Sequence, residues 1–296
     1  MHFKSRCKPD QNAVTPRPFS GEQCDALFAA VLVHDELYPE ATLPDAIHLD
    51  YTQEQLSQCY QICQQLWQEG LNRVDLSQMV NKVYKQGELN EQDQYTYYCM
   101  RAKIKHLRFA YVMFDKRHRY PKVFHLMTAA MGHLQDVLKN AQHSSVWPAA
   151  LLVRLFLSKP LYAIAVKEVE GFQPTTVESF QQYLSNEINF IRLNLAQDKV
   201  TSHEFHNMRK VISRQAALYD NLKTLYPSDY HQSISKCVST LNGLMGSFHD
   251  HLIVRKFNKT QDYYKDTFVM PNEIKRRLKD LIAKYEEKYN QSSVCG

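Results

Sequence analysis

Residues 98–136, YCMRAKIKHLRFAYVMFDKRHRYPKVFHLMTAAMGHLQD, contain two helical patterns separated by a turn that includes a proline. In the first pattern, apolar residues recur every three or four positions, as on one face of an α-helix: Met100, Ile104, Leu107, Tyr111 and Phe114. The same arrangement returns at 206–250, HNMRKVISRQAALYDNLKTLYPSDYHQSISKCVSTLNGLMGSFHD. The sequence therefore predicts a repeated helix–loop–helix unit.

Aligning Met100-Arg101 with Met208-Arg209 brings further matches into the same order. The apolar positions fall on Met208, Ile212, Gln215, Tyr219 and Leu222, and each first helix is followed by Tyr-Pro, at 120–121 and 226–227. Each second helix contains M-G-x-[LF]-x-D, at 131–136 and 245–250. An ordinary helical bundle would explain the apolar spacing alone, whereas the ordered matches favour an internal duplication. Glycine inside a helix is unfavourable, so Gly132 and Gly246 predict close helix–helix approach.

Outside the repeated unit the chain also has helical patterns, and no segment alternates as a strand does, so no sheet is expected. The predicted organisation has a mobile tail at 1–20, a helix and proline-containing linker at 21–50, and one helical domain at 51–290. Within that domain, repeat one spans about 52–158 and repeat two about 174–290. The predicted helices are 21–37, 52–69, 75–85, 91–118, 121–140, 146–158, 177–196, 202–225, 228–257 and 271–289.

Composition excludes some classes of protein. The chain has 8 glycines in 296 residues, which disfavours β-rich folds and glycine-rich nucleotide cradles. Its 7 cysteines are scattered and odd in number, as expected for reduced thiols in the cytoplasm. The N-terminal residues lack the apolar segment of a secretory signal. The longest apolar run, 149–157, is interrupted by Arg154 and is far shorter than the roughly 20 residues of a membrane span. A cytoplasmic protein with no membrane partner is expected.

Positive charge is concentrated in the repeats. The chain has a net charge of +5, yet between residues 101 and 122 Asp115 is the one acid among many lysines and arginines. Arg101, Lys105 and Arg108 share one helix face, where like charges repel each other unless an anion neutralises them. The second repeat has a thinner basic stretch with Arg209, Lys210, Arg214, His203 and His206. Two such stretches related by a pseudo-two-fold axis would border one groove that can bind successive phosphates.

Together these motifs resemble the CHAD family (conserved histidine α-helical domain), in which H-x-x-R-x-x-x-[KR]-[KR]-x-R and L-G-x-x-[RQ]-D each occur twice. The resemblance covers residues 92–256 and extends, more weakly, from 52 to the C-terminus. Here Tyr98 replaces the first histidine of the pattern. Ser213 and Ala216 replace two basic positions of the second copy, so copy one is the better equipped.

The resemblance implies an all-α fold of two pseudo-symmetric helical bundles around a basic cavity, and non-enzymatic binding of inorganic polyphosphate. The phosphate contacts that it implies are Arg101, Lys105, Arg108, His206, Arg209 and Arg214. Lys103 and Lys210 are expected to support them, and Asp136 and Asp250 to orient basic side chains. Neither a cofactor nor a metal is expected.

Two other functions remain open. The same basic face could serve a helical adaptor that binds nucleic acid or a protein, and a phosphohydrolase could use His206 or Asp250 as its chemical group. His249-Asp250-His251 could suggest a metal site, but adjacent helical residues point in different directions, so we interpret them as helix-surface polar residues. His203 and His206 stand three apart, yet no E-x-x-H accompanies them. The sequence also contains no H-E-x-x-H, G-x-S-x-G or Walker A motif.

Overall fold

A computed structural model of the chain describes residues 18–140 and 142–292, and these residues form eleven α-helices, which confirms the all-α class. Most of the predicted mobile tail, residues 1–17, lies outside the described residues. The helices are α1 (Gly21–Leu32), α2 (Gln53–Gly70), α3 (Arg73–Gln86), α4 (Glu91–Phe114), α5 (Lys122–Lys139), α6 (His143–Phe156), α7 (Lys159–Glu170), α8 (Val177–Leu195), α9 (Ser202–Leu225), α10 (Asp229–Phe257) and α11 (Asn272–Ser292).

The prediction that the chain has no sheet is wrong at one place. Strands β1 (Val200–Thr201) and β2 (Thr267–Phe268) pair antiparallel, with Val200 opposite Phe268. Two residues are too few for an alternating pattern to register in the sequence. The pairing joins the start of α9 to the segment that precedes α11.

Side-chain caps explain where several helices begin. Thr52 and Gln55 form the predicted capping box of α2, in which each side chain bonds the other residue's backbone N–H. Thr201 and Glu204 form another at α9, and Ser228 caps α10. At α3 the cap is Asn72, whose side chain accepts hydrogen bonds from two backbone N–H groups, and not the predicted Asp75. Asp75 lies in the first turn, where its carboxylate interacts favourably with the positive end of the helix dipole.

Helix α7 was not predicted, because Pro160 was interpreted as the end of a helix. Pro160 instead lies in the first turn of α7. Proline is tolerated there, since the first backbone N–H groups of a helix have no intrahelical partner. Helices α1 and α4 end about one turn earlier than predicted, at Leu32 and Phe114.

Helices α4 and α9 contact each other. Helices α2 and α5 pack against α4, α8 and α10 pack against α9, and α1 contacts both α4 and α9. The two predicted apolar faces lie in one continuous core, in which Leu107, Tyr111, Met208 and Tyr219 are buried. The chain therefore places the first helix of each predicted repeat beside the other.

The two predicted helix–loop–helix units differ in their proportions. The connection runs over 115–121 in the first and over 226–228 in the second, so the second connection is shorter. Helix α10 compensates, because Gly246 lies much farther along it than Gly132 lies along α5. Longer helices, and not a longer turn, account for the difference in spacing between the two motifs. The duplication itself stays a prediction.

No single described helix is long and apolar enough to cross a membrane. Helices α6 and α7 satisfy length and composition only when they are taken together, and they are bent by 64° relative to each other.

Candidate polyanion-binding site

Five of the predicted basic residues lie near one another where α4 faces α9. We call Arg101, Lys105, Arg108, Arg209 and Lys210 the cationic cluster. Lys105 is close enough to Arg101, Arg209 and Arg108 for their charges to lower its pKa. Burial lowers the pKa of Lys210, and the nearby charges of Arg214 and Arg108 lower it further. Among the described residues, no carboxylate lies within ion-pair distance of any of the five.

Each of the two aligned arginines lies over the glycine of its own repeat motif. A Cβ atom on Gly132 would stand 2.6 Å from Nη2 of Arg101, and one on Gly246 would stand 3.2 Å from Nη2 of Arg209. The glycines were expected to let helix backbones approach closely. Instead, their missing side chains leave room for a guanidinium group to cross the facing helix.

The residue three positions after each glycine holds the arginine. Nη1 of Arg101 donates to Oε1 of Gln135 at 3.3 Å, and Nη1 of Arg209 lies 3.3 Å from Nδ1 of His249. Asp136 and Asp250 had been expected to orient basic side chains. Asp250 does so for Lys139, at 3.2 Å, but not for Arg209. Asp136 interacts with Arg101 only at longer range. Burial raises the pKa of the Asp136 carboxyl group, and the positive charge of Arg101 partly offsets that rise.

Three guanidinium groups of the cluster are incompletely bonded. The Nε atoms of Arg101, Arg108 and Arg209 are buried and have no hydrogen-bond partner among the described residues. An unpaired buried donor costs free energy, and more so when it belongs to a charged group. The cluster therefore contains buried guanidinium donors that the described residues leave unsatisfied.

Lys105 is the most perturbed member of the cluster. Burial, followed by the charges of Arg101 and Arg209, lowers its pKa to about 7. Its Nζ lies 3.5 Å from Nε2 of His34, and Nδ1 of His34 faces the carbonyl oxygen of Val31 at 2.5 Å. With Nδ1 donating to that carbonyl, Nε2 is free to accept a hydrogen bond from the lysine. At neutral pH Lys105 is poised between its two protonation states.

Arg108 lies at the other end of the cluster, among aromatic rings. Its guanidinium carbon is 5.0 Å from the ring centre of Phe109 and 5.2 Å from that of Tyr120. The Tyr120 ring also stacks on His125, and its hydroxyl accepts from Nη1 of Arg214 at 2.9 Å. Burial lowers the pKa of Arg108 to about 10, so the group stays charged at neutral pH.

His206 is near the cluster but does not add charge to it. Its ring stacks on that of His249 with centroids 4.5 Å apart, and its Nδ1 is buried without a partner. Burial, followed by the neighbouring His249 and Lys210, lowers its pKa to about 3. The interpretation of His249 as a helix-surface residue is wrong, because His249 is buried and its Nε2 lies 3.0 Å from the Tyr263 hydroxyl.

The remaining predicted residues have other partners. Arg214 is buried and forms an ion pair with Glu187 of α8, with Nε donating to Oε2 at 2.7 Å. Its position in the alignment corresponds to His106, which is also buried and hydrogen-bonded to Asn221. Lys103 contacts the carbonyl oxygen of Gly70 and lies 4.3 Å from the centre of the Phe28 ring, on the side of α4 that faces α1 and α2.

The segment after α1 brings an acidic residue to the cluster. Asp35 is exposed, and its charge partly offsets the lowering of the pKa of Lys105 and of Arg209. Contacts with α10 hold this segment. Oγ of Ser239 donates to the carbonyl oxygens of Val33 and Glu36, and Asn242 donates to that of His34.

Sequence reasoning missed His34, Tyr120 and Gln135 as neighbours of the site. Tyr120 and Gln135 stand inside the repeated motifs, so the alignment could have identified them, whereas nothing in the local sequence places His34 beside α4.

Among the described residues, no group of three or more His, Cys, Asp or Glu side chains is placed to hold a metal ion. Searches against family models, curated proteins and solved structures find no match to this chain. The resemblance to the CHAD family thus rests on the motifs alone.

Proposed function

We propose that the chain binds a linear polyanion, inorganic polyphosphate, along the cationic cluster without catalysing a reaction on it. The observation that carries the proposal is the convergence of five basic residues from α4 and α9, none of which has an ion-pair partner in the part of the chain that the structure describes. Grouping like charges in a half-buried site is unfavourable unless a bound anion neutralises them. A function that requires the anion is a reason for a protein to keep such a group.

The chemistry of the cluster suits phosphate groups. Guanidinium groups donate in a fixed fork that matches two phosphate oxygens, and Arg101, Arg108 and Arg209 bring three such groups together near Lys105. Lys105, half protonated near neutral pH, would become fully charged once a phosphate lay beside it. A flexible polyphosphate chain also releases counterions as it binds, which makes its affinity depend on salt.

The decisive experiment measures binding of fluorescently labelled long-chain polyphosphate to the full chain. Arg101→Ala combined with Arg209→Ala should weaken binding by at least about 10-fold, since the loss of even one charge-assisted contact costs roughly 1.5–3 kcal/mol. It should also flatten the dependence of binding on salt. The matched control is Arg276→Ala with Lys279→Ala, which removes two exposed charges from α11 and should leave binding unchanged.

Competition at matched charge distinguishes polyphosphate from nucleic acid. We expect unlabelled polyphosphate to displace the probe at lower phosphate concentration than single-stranded RNA or DNA. A preference for nucleic acid, lost in the Arg101 and Arg209 double variant, would assign the cluster to a nucleic-acid adaptor. Incubation of the protein with polyphosphate and Mg²⁺ should release no phosphate, whereas release that depends on His206 would make the chain a hydrolase.

A further inference from the structure

Residues 33–38, which follow α1, lie against α10, and we call them the strap. Four hydrogen bonds join short polar side chains of α10 to the backbone of the strap: from Ser239 to the carbonyl oxygens of Val33 and Glu36, from Asn242 to that of His34, and from the Tyr38 N–H to Oγ1 of Thr240. Their lengths are between 2.8 and 3.1 Å. The path of the strap is therefore fixed through its backbone, independently of the side chains that it carries.

Gly243 of α10 allows the strap to come this close. A Cβ atom at this position would overlap the carbonyl oxygen of Asp35 and would also stand 2.9 Å from Cδ2 of Leu37. The end of a side chain could turn aside, whereas the backbone oxygen can move only if the strap itself moves. Glycine destabilises a helix interior, so the close contact gives a reason for its presence here.

The residues that hold the strap stand where the second predicted repeat departs from the first. Alignment of the repeats matches Ser213 with Lys105 of the cationic cluster, and Gly243 with Ala129. Oγ of Ser213 donates to Oδ1 of Asn242 at 2.8 Å, and Asn242 in turn holds the strap. Where the first repeat has a cation, the second therefore has part of the attachment for an internal segment.

The strap brings a negative charge to the cluster. Asp35 is exposed, and its carboxylate has no ion-pair partner among the described residues. Its charge nevertheless partly offsets the lowering of the pKa of Lys105 and of Arg209, so it lies near both. The adjacent His34 places Nε2 at 3.5 Å from Nζ of Lys105. A phosphate that bound Lys105 and Arg209 together would be repelled by Asp35, because like charges at short range raise the free energy of the complex.

We propose that the strap is an autoinhibitory element, and that polyphosphate displaces it from α10 because of the charge of Asp35. In the free protein, this carboxylate stands beside Lys105 and Arg209 in place of a ligand phosphate. Part of the binding free energy is then spent on moving the strap, so the affinity is lower than the cations alone would give. The inference rests on the function proposed above, because it concerns the regulation of the same site.

Gly243→Ala tests the strap in the full chain, with fluorescently labelled polyphosphate as the probe. The added methyl group should push the strap off α10, and affinity should rise by about 3- to 10-fold, the effect of removing one screened repulsion. Ser239→Ala, which removes two of the four hydrogen bonds without a clash, should act in the same direction. The matched control is Gly21→Ala, whose methyl group would meet no atom within 4 Å and should leave affinity unchanged.

Two further measurements ask whether the strap moves and whether it acts through Asp35. Polyphosphate should speed hydrogen exchange of the Tyr38 amide, whose bond to Thr240 breaks when the strap leaves α10. In an Asp35→Asn background, Gly243→Ala should add no gain in affinity, because without the carboxylate the ligand no longer has to displace the strap.

Three results would overturn the inference. One is slower exchange at residues 33–38 with polyphosphate, because the strap would then help to hold the ligand. Another is an affinity that neither Gly243→Ala nor Ser239→Ala raises, and the third is a gain that persists in the Asp35→Asn background. If the original chain still bound polyphosphate through Arg101 and Arg209, these results would reject the strap alone. An absence of binding in the original chain and in both strap variants would reject the proposed function as well.

Discussion

In each predicted repeat, an arginine of the cationic cluster lies against the glycine of the M-G-x-[LF]-x-D motif. Gly132→Ala would place a methyl group 2.6 Å from Nη2 of Arg101, so the guanidinium group must move. We expect polyphosphate affinity to fall by about 10-fold, the value of one lost charge-assisted contact. The free energy of unfolding should stay within about 1 kcal/mol of the original, since alanine favours a helix more than glycine does.

Gly246→Ala serves as the internal comparison. Its added methyl group would lie 3.2 Å from Nη2 of Arg209, a contact that a small shift relieves. The loss of affinity should therefore be smaller than for Gly132→Ala. Fluorescence titration with polyphosphate and urea unfolding of both variants give the two quantities. If the two variants lost equal affinity and equal stability, the glycines would be needed for helix packing and not for placing the arginines.

Lys105 should make polyphosphate binding depend on pH. Its pKa is about 7 in the free protein, and a bound phosphate raises that pKa toward the ordinary value of lysine. Binding then takes up a proton above pH 7, so affinity falls as pH rises from 7 to 9, by at most about 10-fold per pH unit. Below pH 7 the lysine is already charged, and affinity levels off. Titrations at constant ionic strength measure this profile.

Lys105→Arg provides the control for that profile, because arginine keeps its charge throughout the range. The variant should bind with an affinity that is nearly flat between pH 7 and 9. In the original protein without ligand, stability should rise with pH through 7, since the folded state releases a proton that the unfolded state retains. A sloping affinity in Lys105→Arg would assign the pH dependence to another group.

Among the elements, the segment between α1 and α2 acts on the cluster through one carboxylate. Asp35 offsets part of the positive potential at Lys105 and Arg209, and contacts of residues 33–36 with α10 keep it there. Asp35→Asn should strengthen polyphosphate binding several-fold and make it more dependent on salt. Asp45→Asn removes an exposed acid from the same segment and should have no effect. Weaker binding in Asp35→Asn would show that the segment helps to hold the ligand.

Helices α8 and α9 are joined by Arg214, whose predicted role as a phosphate contact conflicts with its bonding. Arg214→Ala would leave the half-buried Glu187 without its partner and should lower the free energy of unfolding by about 3 kcal/mol. Arg276→Ala removes an exposed ion pair and should cost less than about 1 kcal/mol. Urea unfolding provides both values. An Arg214 variant that keeps its stability but loses polyphosphate binding would restore the predicted role.

How much of the fold could be predicted from the sequence depended on whether the signal was local. Thr52 with Gln55 defines a helix start through bonds between near neighbours, and the structure begins α2 at the next residue. Pro160 was misinterpreted, because proline is compatible with both the end of one helix and the first turn of another. Arg101 and Arg108 lie near Lys105 on α4, as their spacing predicts. Arg214, in contrast, forms an ion pair with Glu187 of α8 and does not join the cluster. The spacing of residues along α9 does not reveal that α8 packs beside it.

For the molecule as a whole, the question is whether α4 and α9 contribute to one site or to two. Arg101 and Arg209 belong to different predicted repeats, yet both lower the pKa of the same Lys105. A single polyphosphate chain that crosses the cluster would therefore contact both arginines at once. We expect calorimetry with a short polyphosphate to give one binding site per protein chain.

A double-mutant cycle on Arg101 and Arg209 tests the same conclusion. If one ligand joins both residues, losing either arginine lets the bound chain shift, so the second substitution then costs less than it would alone. The loss in the double variant should be smaller than the sum of the two single losses by about 0.5–3 kcal/mol, the range for residues that share a partner. Strictly additive losses, with two ligands bound per chain, would mean that each repeat binds phosphate independently. The convergence of α4 and α9 would then serve only the packing of the core.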